Sequence, residues 1–352
     1  MSRARLVSLL LSLALAPIGW PHHLLLGVAD SPGGAGTLAA RSHVDARYQY
    51  LSGGVNTGQG WAHWNPNGSF ASMYVGESIA AHEIPVLTYY QLLQSLPSRG
   101  PDEASRDLSN LRNAATMRAY WSDFSLLLRR VAASAGRHLV VVHVEPDLWG
   151  YLEQAGAVKL ARSFAHHLLA LRDRLAPDVL LAWHLSVWGT KHDPTYEKPS
   201  LAEMDALAAQ SARFYAALHA RFDLVFNDVT DRDADYYKII EGNPHTWWSA
   251  ADFHRHDVYI AGFTRRTHTS VVLWQLPLGN TSLPDTWGHY RDDRLQWWLG
   301  PGSGPRLRAT MNAGVIGLLF GAGASGCTTA QSDGGVFFRL ARTYERHPLP
   351  LA

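Results

Sequence analysis

The chain has 352 residues, 47% of them hydrophobic and 17% charged, with a formal net charge of +1. That composition supports a large core and excludes a disordered tail. The absence of a basic or acidic excess argues against nucleic acid or an anionic membrane as a partner. The 13 Trp and 14 Tyr suit either an aromatic-rich core or a surface that stacks on the apolar faces of sugar rings, and the count alone does not separate the two.

The first segment reads as an export signal. Arg3 and Arg5 precede the apolar run 6–20, which is too short for a confident membrane span. Small residues at Gly27 and Ala29 place the expected cleavage before Asp30, with an uncleaved anchor as the alternative. The expected organisation is therefore a signal peptide over 1–29, a flexible leader over 30–44 and one catalytic domain over 45–352. The product would be secreted, to the periplasm or outside the cell, with no membrane contact after cleavage. Cys327 is the one cysteine, so no intramolecular disulfide forms and the core must carry the stability.

From about residue 45, β-rich runs alternate with helical patterns. Strands are expected at 47–53, 84–90, 138–144, 179–187, 223–228, 270–278 and 314–321. Between them, Met117, Tyr120, Phe124, Leu127, Leu128 and Val131 recur at helical spacing, as do residues over 160–175 and 201–220. The segment 256–263 fits strand or helix. Alternation of this kind means a parallel sheet under helices. No GxGxxG or GxxxxGK[ST] motif supports a nucleotide-binding fold. The expected fold is α/β, a (β/α)8 TIM-like barrel, distorted or seven-stranded if the eighth strand is missing.

Barrel active sites form at the C-terminal strand ends, and those ends are polar here. Alternation in "VVVHVEPDLWG" (140–150) puts His143, Glu145 and Asp147 on one side and Val142 and Val144 on the other. The next strand supplies His184 and Trp188, and the one after supplies Asp228. Gln275, Asn280 and His289 follow the later strand. Trp61 and Trp64 lie in a glycine-rich loop, Tyr90 closes an early strand, and Trp149 follows Asp147. The remaining acids of 231–235 read as a solvated, helix-capping loop, and "GAGASG" (321–326) as a tight turn that can wall the cleft.

Two carboxylates across an aromatic-rimmed cleft are what glycoside cleavage requires. Glu145 is the expected acid, Asp147 tunes it, and Asp228 is the expected base or nucleophile. Trp61, Trp64, Tyr90, His143, Trp149, His184, Trp188, Gln275, Asn280 and His289 are the expected sugar contacts. The stretch "VVVHVEPDLWGYL" resembles the strand end of family 6 glycoside hydrolases, the cellulases, whose barrel strand runs into an apolar–Glu–Pro–Asp sequence. That resemblance implies a distorted barrel of reduced strand count, with Glu145 and Asp147 lining the cleft. The chain departs from the family in lacking its Asp-rich acid segment and paired disulfides. More broadly it resembles secreted barrel glycosidases, with a polysaccharide or oligosaccharide as substrate.

Two alternatives remain. His143, Glu145, Asp147, His184 and Asp228 could converge on a cation, although no His-x-His strand, HExxH or paired-Cys spacing is present. A glycan-binding barrel without chemistry would also explain the aromatics. No cofactor or metal is expected, and the sequence does not indicate an oligomeric state.

Overall fold

Seven of the apolar runs become strands because each is a short β-branched or aromatic stretch bounded by turn residues and followed by an amphipathic helix. The computed structural model describes residues 16–351. Its strands are β1 (Leu25–Ala29), β2 (Ala46–Leu51), β3 (Ile84–Tyr89), β4 (Val141–Val144), β5 (Leu180–Leu185), β6 (Leu224–Asp228), β7 (Val271–Leu276) and β8 (Val315–Phe320). They form one closed barrel in sequence order, with every neighbour parallel and β1 returning to β8. The ring is a full (β/α)8 barrel and lacks the reduced strand count implied by the family 6 resemblance. The ambiguous segment 256–263 lies within the helix Ala250–Thr267.

The strand that the sequence reading lacked is β1. Leu25–Ala29 pairs with Ala46–Tyr48 on one side and with Gly317–Phe320 on the other, so the barrel starts well before residue 45. The expected leader 30–44 contains the helix Ala35–Arg41, and Asp30 makes an ion pair with buried Arg47 at 2.6 Å. A cut before Asp30 would remove a barrel strand. The confusion has a physical source, since a buried parallel strand and a signal core are both short apolar runs. Residues 1–15 of the expected signal lie outside the described residues.

Two apolar layers result. Inside the barrel, Leu25, Ala46, Val86, Val141, Ala182, Leu224, Val272 and Ile316 pack together. Trp20 joins them from below, and its indole N–H donates to the Ile316 carbonyl at 3.2 Å. Outside, Val142 and Val144 join the helix-facing layer, as alternation requires.

This placement predicts that a chain starting at Pro17 melts cooperatively by circular dichroism, whereas one starting at Asp30 does not. Trp20→Ala should cost about 3–5 kcal/mol. An Asp30 start that melts like the longer chain would refute this role for β1.

Candidate active site

At the end of β4 the side-chain alternation stops. Glu145 adopts a left-handed backbone (φ 47°, ψ 68°), and Pro146 then opens the helix Pro146–Gln154. A non-glycine residue in this conformation is strained and needs surrounding contacts to hold it. Here the carboxyl group supplies them. Glu145 Oε1 accepts from the backbone N–H of Gln91 at 3.0 Å and of Leu92 at 3.2 Å. The side chain is fully buried beside Tyr120 and does not line the cleft. Burial pushes its carboxyl up to about 8 against the pull of those N–H donors, and Asp147 adds to the rise.

Turning Glu145 away brings Asp147 forward. A cleft of about 700 Å³ opens at the C-terminal strand ends and is lined by Asp147, Asp228, Tyr90, His184, Trp188 and Gln275, together with Tyr50, Trp274, Asp231 and Arg232. Asp147 Oδ2 accepts from the Tyr90 hydroxyl at 2.7 Å. Burial pushes the Asp147 carboxyl up to about 6, and Asp228 adds to the rise, while Tyr90 and His184 oppose it. Asp228, at the end of β6, meets His184 Nε2 at 2.9 Å. His184 Nδ1 lies 3.1 Å from His143 Nε2, and His143 Nδ1 lies 3.4 Å from Thr88 Oγ1.

The cleft's far wall comes from β7 and β8. The pairing of these strands shifts register between Leu273 and Leu276, and Gln275 in that gap has φ 56°. The irregularity re-aims Gln275, whose amide donates to the Tyr50 hydroxyl. Gly323 closes this wall. A Cβ there would sit 2.6 Å from Gln275 Nε2 and 2.9 Å from the Asp231 carbonyl oxygen, so only glycine fits.

Six expected residues therefore meet on one cleft: Tyr90, Asp147, His184, Trp188, Asp228 and Gln275. The others are placed differently. His143 is buried beneath the cleft among Phe226 and Trp274. Trp149 is buried between the barrel and helices, its N–H on the Val144 carbonyl. Trp61 is a core residue that donates to Asp123 at 2.7 Å, and Trp64 packs edge-on against Phe70. Asn280 and His289 pair with each other at 3.1 Å, and Asn280 also donates to the Asp333 carbonyl, fastening loops after β7 and β8. Tyr50, Asp231, Arg232, Glu103, Tyr151, Tyr196 and Tyr237 also line the cleft, outside the expected set. Tyr50 was within reach, because it alternates with inward Tyr48 on β2. The acidic loop is also more than solvated: Asp231 accepts from Tyr237, and Arg232 pairs with Glu241 at 2.9 Å.

Among the described residues, no three His, Cys, Asp or Glu side chains gather as a metal site. What the cleft offers is two carboxyls with different partners, one bound to a phenol and one to an imidazole. That is the division acid–base chemistry uses.

No family model matches the sequence, and no curated protein matches it. Solved structures do share its fold. A modular endo-β-1,4-mannanase from Cellulomonas fimi aligns with a TM-score of 0.58 at 11% identity, covering 93% of this chain and 71% of the other. GH26C from Muricauda sp. gives 0.53 at 9% identity, covering 93% and 86%. A GH26 β-mannanase from Bacteroides ovatus gives 0.51 at 13% identity, covering 94% and 91%. At these identities the likeness establishes the (β/α)8 fold.

The raised Asp147 carboxyl has a consequence for stability. Its folded value of about 6 lies above its usual 3.8. Stability is thus fully present below about pH 4 and is lost as pH rises through about 6. Asp147→Asn should melt above wild type at pH 8, and the two should converge below about pH 4. A difference independent of pH would contradict this placement.

Proposed function

We propose that the protein is an exported glycoside hydrolase that cleaves a polysaccharide in this cleft. Asp147 is the acid that protonates the leaving oxygen. Asp228 is the carboxylate that activates water or attacks the anomeric carbon. The observation that carries the reading is the pair itself. Asp147 and Asp228 stand at the ends of β4 and β6 on one cleft, and Asp147 is held toward its acid form while Asp228 faces an imidazole. Trp188, Tyr90 and Tyr50 supply aromatic faces and hydroxyls for sugar. The mannanase neighbours make β-1,4-mannan the first substrate to try. Export rests on Arg3, Arg5 and the apolar run 6–20. With Trp20 in the barrel, signal cleavage falls upstream of it, which N-terminal sequencing of exported protein would check.

The test is incubation with a panel of β-mannans, β-glucans and other polysaccharides, reading new reducing ends. Asp147→Asn and Asp228→Asn should each lower turnover by about 10²–10⁴-fold. Glu145→Gln should stay within about threefold of wild type, because Glu145 meets no substrate space and the carboxamide oxygen of Gln can still accept from the Gln91 and Leu92 N–H groups. Activity should fall as pH rises through about 6, where Asp147 loses its proton. Absence of new ends on every glycan, or full activity in Asp147→Asn, sinks the reading. Glycan binding without turnover would favour a non-catalytic barrel.

A further inference from the structure

Beneath the cleft lies a buried chain of polar groups whose direction can be worked out. Thr88, His143 and His184 come from β3, β4 and β5, all at most 2% exposed. The Phe226 ring is 4.5 Å from His143 and the Trp274 ring 4.7 Å, centroid to centroid. Burial and neighbouring His184 hold the His143 imidazole well below its usual range, so it is neutral and carries a single N–H. Three contacts join Thr88 Oγ1 to His143, His143 to His184 and His184 to Asp228.

With one proton on each ring, such a chain runs in one of two directions. Either each N–H points toward Asp228, which is then an ionised acceptor, or each points away and Asp228 must itself donate a proton. We infer that Thr88 and His143 are positioning residues for Asp228, fixing the His184 tautomer so that an N–H meets the carboxylate. The Thr88 hydroxyl donates to His143 Nδ1, which leaves the His143 proton on Nε2. That proton occupies His184 Nδ1, so His184 keeps its own proton on Nε2, against Asp228 Oδ1. Each donor strengthens the next, and the last bond is charge-assisted. The other titratable groups around Asp228 are Asp147 from the β4 end, Tyr50 from β2, Asp231 from the β6 loop, and His256 and Tyr259 from the helix Ala250–Thr267. None of them is placed in this chain, which reaches Asp228 through His184.

This inference rests on the hydrolase reading for its kinetic consequence, but its tautomers can be read without any substrate. Nitrogen-15 NMR of histidine-labelled protein should show His143 and His184 protonated on Nε2 and not on Nδ1 at pH 8. Thr88→Val should lose that preference at His143, and Thr88→Ser should keep it. In turnover, Thr88→Val should lower kcat about tenfold with KM unchanged and move the acidic limb of kcat/KM to higher pH, because the N–H aimed at the Asp228 carboxylate is no longer fixed. Thr88→Ser should restore both. A proton on His184 Nδ1 in wild type overturns the inference, and so does a folded Thr88→Val with wild-type kcat and acidic limb. If Thr88→Val does not fold, the wild-type and Thr88→Ser spectra still decide. Expected tautomers in a protein that cleaves no glycan would overturn the hydrolase reading and leave the polarised support of Asp228 standing.

Discussion

The cleft depends on one clasp, the Glu145 carboxyl oxygen on the backbone N–H groups of Gln91 and Leu92. It holds Glu145 in a left-handed conformation that a side chain tolerates only under such restraint. The same bonds tie the segment after β3 to the end of β4. Tyr90, just before that clasp, is thereby set against Asp147, just after it. A buried carboxyl outside the cleft thus aligns the phenol and the acid within it.

Asp147 and Asp228 come from the same kind of strand end, but their partners separate them. A phenol offers a neutral hydrogen bond and leaves burial to dominate, so Asp147 rises. An imidazole backed by a second imidazole offers a fixed N–H aimed at Asp228. His143 and Glu145, which do not line the cleft, therefore act on the two carboxyls through the wall residues His184 and Tyr90.

The barrel was legible wherever apolar runs were bounded by turn residues, which accounts for β2 through β8. It was not legible at β1, because Leu25–Ala29 has the composition of a signal core and pairing partners are invisible in a linear pattern. Alternation placed His143 inside and Val144 outside correctly. It failed at Glu145 because it assumes an extended backbone, and the left-handed turn before Pro146 breaks that premise. Trp149 is a core residue and not a sugar contact for a related reason. Once the helix begins at Pro146, Leu148, Trp149 and Leu152 lie on its buried face. Trp61 and Trp64 carried no signal that distinguishes packing from ligand contact. Tyr196 and Tyr237 arrive from separate short helices, and only the fold brings them to the cleft.

The pairing of β1 with β8 joins Leu25 to Gly317, so the ring is sealed by segments from opposite ends of the chain. Contacts of such long sequence separation form late, since the loop-closure entropy must be met before they contribute. During synthesis the other strands can accumulate while β1 waits for a partner that has not yet been made. Until β8 arrives, β1 and the latest strand both present open edges, the condition under which chains mispair with one another. Maturation of this barrel is therefore governed by its last strand, and truncation from the C-terminal side should be as damaging as loss of β1.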